Sequence, residues 1–197
     1  VALDAEPLGV VAIDDRLRPD APVALQRLRD QGLKLGMLSG DRRQAVEKIA
    51  GMLGFADDEL AWQLLPSQKL ERLEDWRAKE TVGMVGDGIN DAPALAAADL
   101  GIAVGTGTQI AQDTADLVLL GDRLEALPEA LTLARRTMAK IRQNLFWAFG
   151  YNMIALPVAA GVLLPGFNLL LSPPLAALLM ALSSLSVVLN ALSLRLR

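Results

Sequence analysis

The chain has 197 residues, 52% of them hydrophobic, and contains neither cysteine nor histidine, which excludes disulfides, thiolate zinc sites, thiol nucleophiles, Ser-His-Asp triads and imidazole bases. Its length allows one ordinary domain, or a small domain with an appendage. All 23 acidic side chains lie at or before Glu129, so residues 1–134 carry 13 basic against 23 acidic groups, net -10, while the remainder carries +6; an acidic front of this kind argues against a nucleic-acid partner.

In chain order, short apolar runs alternate with helical stretches. Strand-like runs are Leu8 to Ile13, Leu33 to Leu38, Thr81 to Val85, Leu100 to Val104 and Leu117 to Leu120. Helical stretches fall between them at Ala21 to Gln31, Arg42 to Leu53, Ser67 to Lys79, near Pro93 to Ala98 and near Gln109 to Thr114. The runs are continuous rather than alternating, as in strands covered on both faces, so the expected fold class is α/β, with a doubly wound parallel sheet. Ligands of such sheets gather at the carboxyl ends of strands.

Two strand ends and one helix start carry chemistry. Ser39-Gly40-Asp41 sets a hydroxyl and a flexible backbone before a helix whose free N–H groups can receive an anion. Gly86-Asp87-Gly88-Ile89-Asn90-Asp91 crowds two carboxylates and an amide into one turn, an oxygen donor set that suits Mg2+. Between them, Pro66-Ser67-Gln68-Lys69 puts a lysine in the first turn of a helix, within reach of a phosphoryl oxygen. Each segment alone reads as a turn, a cap or a solvated lysine. Gly105-Thr106-Gly107-Thr108 and Gly86-x-Gly88 lack the third glycine of a dinucleotide fingerprint, and no P-loop motif occurs. The order hydroxyl, lysine, carboxylate turn suits phosphoryl transfer.

The last third has a different character. Gln143 to Leu194 is a run of 52 residues without a charge, divided by Pro165-Gly166 and Ser172-Pro173-Pro174. Its two segments, 145–164 and 175–194, would each span about 30 Å as helix, the hydrocarbon thickness of a bilayer. Arg135, Arg136, Lys140 and Arg142 precede the first and Arg195 and Arg197 follow the second, so both ends are expected in the cytoplasm with a short loop outside. Val1 to Glu6 carries no basic n-region, and no signal peptide is expected.

The run VGDGINDAPALAAADLGIAVGTGT, with LSGD and LLPSQK upstream, resembles the phosphorylation domain of a P-type ATPase, a branch of the haloacid dehalogenase-like fold, and the similarity extends over essentially the whole chain. The resemblance implies that Ser39, with Gly40, binds an aspartyl phosphate, that Lys69 neutralises it, and that Asp87 and Asp91 serve Mg2+ with Asn90 ordering the site. Ser39 departs from the family's usual Thr but keeps the donor. Asp14-Asp15-Arg16-Leu17-Arg18-Pro19 resembles the family's strand-end segment near the nucleotide. The family's DKTGT nucleophile motif, TGE loop and His-Pro pair do not occur. The resemblance therefore implies a C-terminal portion: 1–134 from the phosphorylation domain and 135–197 as a membrane hairpin. ATP is the implied substrate, the actuator and nucleotide domains the implied upstream remainder, and the isolated chain is expected to be inactive.

Polar residues within a bilayer are functional candidates. The first segment holds Tyr151, Asn152 and Pro157, which frees the carbonyl of Met153; in the second, Met180, Ser183 and Ser184 stand at i, i+3 and i+4 on one helical face. By chemistry alone these are either helix-packing polars or ligands for a soft metal, because a thioether favours Cu(I) over hard cations. The strings N-x6-YN-x4-P (Asn144, Tyr151, Asn152, Pro157) and M-x2-SS-x5-N (Met180, Ser183, Ser184, Asn190) resemble the copper(I)-transporting type IB subgroup, whose Cys-Pro-Cys would lie on an earlier helix. That resemblance implies Cu(I) as cargo and a multi-pass protein of the bacterial inner membrane. Two other readings stand beside it: a membrane-anchored phosphatase using Asp14, which lacks DxD spacing, and a non-catalytic membrane fragment.

Overall fold

Helices α1 (Ala21–Asp30) and α2 (Arg43–Leu53) each bury one stripe: Ala21, Ala24 and Leu28 in the first, Val46, Ala50 and Leu53 in the second. Spacings of three and four residues keep each stripe on one helical face. Arg29 joins them. Its guanidinium donates to the carbonyls of Leu53 (2.9 Å) and Gly54 (3.0 Å), which lie past the reach of the α2 ladder, and stacks 5.0 Å from the Phe55 ring.

The computed structural model describes residues 16–87, 90–105, 113–121, 123–162, 164–167 and 172–194, with the backbone of 2–3 and 6–7. Strands β1 (Ala2–Leu3) and β2 (Glu6–Pro7) form an antiparallel ladder, while β3 (Met37–Leu38) and β4 (Leu60–Ala61) pair in parallel. The main sheet is parallel, in the order β5 (Gly83–Gly86), β6 (Leu100–Val104), β7 (Leu117–Leu119), with Gly83 opposite Leu100 and Ile102 opposite Leu117. Gly101 to Val104 are buried without interruption, as a central strand covered on both faces requires.

The parallel α/β architecture is as expected from the sequence, with shorter strands. Of Leu33 to Leu38 only the last two residues pair, and β4 is too short to leave a periodic signal. The strand expected over 8–13 and residues 109–112 of the expected fifth helix lie outside the described residues.

Helix α3 (Pro66–Arg77), β5 and α4 (Ala92–Ala97) meet in a core of Leu73, Met84, Ala94 and Leu95, with Val82, Ala97 and Ala98 packed against it. Leu73 and Leu95 are each only 1% exposed. Asp99 closes the far end of this core: its carboxylate accepts the Val82 N–H (2.9 Å) and the Arg77 guanidinium (3.0 and 3.1 Å). The Val82 bond first, and the guanidinium second, hold the Asp99 carboxyl below its ordinary range.

The chain divides into two compact units, 1–128 and 129–197. The helices of the second part are α5 (Ala126–Ala159), α6 (Leu164–Phe167) and α7 (Pro173–Leu192). The helix expected over 145–164 begins nineteen residues earlier and stops at Ala159. Its stop is chemical. Gly161 takes φ +82°, a left-handed conformation that costs other residues a Cβ clash, and two bonds close the end: Gly161 N–H to Val158 O (3.1 Å) and Val162 N–H to Pro157 O (3.1 Å). Among the described residues α7 is the one helix both long and apolar enough to cross a membrane. The uncharged part of α5, 143–159, measures about 26 Å, at the short end for a bilayer.

Candidate functional site

Lys69 and Asp91 meet at the carboxyl end of β5. The Lys69 Nζ lies 2.8 Å from Asp91 Oδ1, and the two side chains are only 13% and 16% exposed. Periodicity accounts for the meeting. Lys69 precedes the buried Leu73 by four residues on α3, and Asp91 precedes the buried Leu95 by four at the start of α4, so the faces that form the core also aim this pair at each other. The contact is charge-assisted and partly desolvated.

Gly86, the last residue of β5, admits the pair. A Cβ there would sit 2.9 Å from Asp91 Cβ and 2.9 Å from its Oδ2, so the carboxylate folds back over bare backbone. Asp87 and Asn90 follow as exposed groups of the same turn; Gly88 and Ile89 lie outside the described residues.

Ser39 follows β3 directly. Its hydroxyl donates to Asp41 Oδ2 (2.8 Å) and accepts the Asp41 N–H (3.1 Å), a local turn that fixes the hydroxyl. Three backbone bonds stitch this strand end to the segment leading into α3: Ser39 N–H to Ala61 O (2.9 Å), Leu64 N–H to Ser39 O (3.0 Å) and Gln63 N–H to Asp41 O (2.8 Å). Gln63 is held at φ +54°, the one non-glycine residue at positive φ among those described. The Leu65 N–H then bonds Gln68 Oε1 (2.8 Å), and Pro66 opens the helix that carries Lys69. Ser39 and Lys69 are thus tied through backbone, with no direct bond between them. Among the described residues no group of three or more acidic side chains is placed to hold a metal. Asp14 lies outside the described residues.

In the second unit, Tyr151 and Ser183 are half-buried, whereas Asn152, Met180 and Ser184 are exposed, and no hydrogen bond joins any two of the five. The Asn152 amide donates to Ala148 O (3.0 Å), and Ser186 Oγ donates to Ser183 O (2.7 Å). Phe146, Trp147 and Tyr151 form a ladder of ring contacts at 5.7 and 6.2 Å. Sequence reasoning missed a further cluster. Lys140 Nζ donates to Asn190 Oδ1 (2.8 Å), and Asn190 Nδ2 donates to Asn144 Oδ1 (2.8 Å) and Gln143 Oε1 (3.4 Å). The signal for it was the uncommon asparagine near each apolar segment's basic end.

Residues 1–99 match the haloacid dehalogenase-like hydrolase family. Over 195 residues the chain is 47% identical to a probable copper-exporting P-type ATPase of Archaeoglobus fulgidus, covering 99% of this chain and 24% of that protein. It is also 47% identical over 196 residues to a silver exporting P-type ATPase of Salmonella typhimurium, covering 99% and 24%. A crystal structure of a zinc-transporting PIB-type ATPase superposes with a TM-score of 0.82 at 40% identity, over 98% of this chain and 30% of that one. The chain thus spans about a quarter of the length of the curated relatives it matches. With a parallel α/β sheet whose carboxyl end holds the Lys69–Asp91 pair, and with this likeness, the chain belongs to the haloacid dehalogenase-like hydrolases, and over nearly its whole length it is similar to P-type ATPases.

Proposed function

We propose that the chain is the C-terminal portion of an ATP-driven copper(I) exporter that works through an aspartyl phosphate. The observation that carries the phosphoryl-transfer half is the partly buried Lys69–Asp91 pair over Gly86, beside Asp87 at the end of β5. Lys69 supplies positive charge to a bound phosphoryl group, and Ser39 with the Gly40 backbone supplies hydrogen bonds to its oxygens. Asp87 and Asp91 provide only oxygen donors, a set that fits Mg2+, and Asp91 keeps Oδ2 at Gly86 while Oδ1 takes Lys69. Bound there, Mg2+ would neutralise charge on the transferring phosphoryl group. The nucleophile, the nucleotide and actuator domains and the remaining membrane helices belong to the rest of the transporter. On this reading residues 1–134 are cytoplasmic, 135–197 form a hairpin in the bacterial inner membrane, and both ends face the cytoplasm.

Cargo selection rests on the uncharged run from Gln143 to Leu194 and on Met180, 69% exposed on α7, where earlier helices of the transporter would meet it. A thioether with hydroxyl and amide oxygens, completed by thiolates from elsewhere, favours Cu(I) over Zn2+. The likeness to a zinc-transporting structure favours zinc as a second reading. In the full transporter, Asp87→Asn should abolish Mg2+-dependent phosphoenzyme, and Met180→Ala should reduce copper-stimulated turnover while sparing phosphorylation from inorganic phosphate. Equal damage to both assays by Met180→Ala would refute the division of labour.

A further inference from the structure

We propose that Lys140, Asn144 and Asn190 form a clasp that sets the register of α5 against α7 and thereby places Tyr151 opposite Ser183; this positioning role rests on the transport reading above. Asn190 is the centre of the clasp. Its carbonyl oxygen takes the Lys140 ammonium and its amide nitrogen serves Asn144, each at 2.8 Å. Both bonds are partly buried, and an amide at Asn190 offers donor and acceptor at once, which neither Asp nor Leu does.

Burial along the two helices agrees with a register fixed at this point. From Asn144 a half-buried series on α5 runs Ala148, Tyr151, Ala155 and Val158; from Asn190 one on α7 runs back through Ser186, Ser183, Leu179 and Ala176. The steps are four, three, four and three on each helix, so in an antiparallel pair anchored by Asn144–Asn190 each position of one series meets its counterpart in the other. Tyr151 and Ser183 each lie seven residues, about 10 Å, from the anchor. Counting inward from segment ends 145 and 194 instead sets the two at unequal depths. The seam that results is small: two alanines of α5 face Ser186 and Leu179, which lets helices approach closely in lipid.

Loss of the clasp frees α7 to slide by a turn, about 5.4 Å, which carries Ser183 and Ser184 away from the level of Tyr151. Each interhelical hydrogen bond in a membrane weights such an equilibrium by about threefold, so removing the two 2.8 Å bonds of Asn190 is worth about ninefold.

The test uses the whole chain in lipid nanodiscs, where its lack of cysteine makes introduced pairs unambiguous. A short bifunctional thiol reagent should join Ala148→Cys to Ser186→Cys in preference to the slid pair Ala148→Cys and Leu182→Cys. Asn190→Leu should lower that preference about ninefold and Asn144→Leu about threefold, whereas Asn144→Asp, which keeps the acceptor, should retain it. An unchanged preference in Asn190→Leu, or equal loss in Asn144→Asp and Asn144→Leu, would overturn the clasp. In the full transporter, Asn190→Leu should raise the copper concentration for half-maximal stimulation with phosphorylation from inorganic phosphate unchanged. If copper fails to stimulate the unaltered transporter, the transport reading falls while the cross-linking result still decides the clasp.

Discussion

Replacing Lys69 by Met keeps the aliphatic stem of the side chain and removes only its ammonium, which leaves the Asp91 carboxylate, 16% exposed and pressed against Gly86, without its cation. A hydrogen bond to a charged group contributes about 1.5–3 kcal/mol, and stripping one partner from a fully buried ion pair costs about 3–5 kcal/mol. The pair retains some solvent, so the loss should lie near the lower range, about 2 kcal/mol. Asp91→Ala should cost a similar amount, because Lys69 is then the unpaired group. The double variant should be less destabilised than the sum of the singles, by about 1–2 kcal/mol, since only the first removal leaves a stranded charge. Urea unfolding of the chain in detergent measures this, with Trp147 replaced by Phe so that Trp62 and Trp76 report the first unit alone. Additive effects within about 0.5 kcal/mol would show that the contact carries no coupling and that the site is not built on it.

Gly86→Ala drives a methyl group to within 2.9 Å of Asp91; it should destabilise the first unit by about 1–3 kcal/mol, as overpacking does, and lower phosphoenzyme formation in the full transporter. Denaturation midpoints and acid-quenched phosphorylation check the two halves. Asp99 has a folded-state pKa below its unfolded value, so its contribution is present above the ordinary aspartate range near pH 4 and is lost as pH falls through the folded value. The gap in urea midpoint between the unaltered chain and Asp99→Asn should therefore be open at pH 7 and close in acid; a gap that widens below pH 4 would contradict the assignment.

The legible parts of the sequence were those governed by period and by strand ends. Leu100 to Val104 reads as a strand covered on both faces and is one, and α1 to α4 begin and end within about two residues of the positions that caps and periodicity indicate. The Lys69–Asp91 pair was half legible. Its members stood out by residue type and spacing, but their contact depends on α3 and α4 packing face to face through Leu73 and Leu95, a tertiary fact. The left-handed Gln63 and the ladder β3–β4 were not legible, because two-residue strands and one turn residue leave no periodic trace. In the second unit, hydropathy marked both apolar segments but not the helix stop at Ala159, which belongs to the Gly161 end motif. Asn144 and Asn190 were visible as polar residues at segment ends; that they bond each other, and Lys140, depends on how α5 packs against α7, a tertiary fact.

The central claim, that this chain carries the phosphorylation core and cargo helices of a copper(I) exporter, is tested most directly by metal-stimulated turnover of the full transporter that contains it. The account predicts stimulation by Cu(I) and, by the same soft-ligand preference, by Ag(I), with Zn2+ ineffective and with Asp87→Asn abolishing all stimulation. Stimulation by Zn2+ alone, or full turnover in Asp87→Asn, would contradict it.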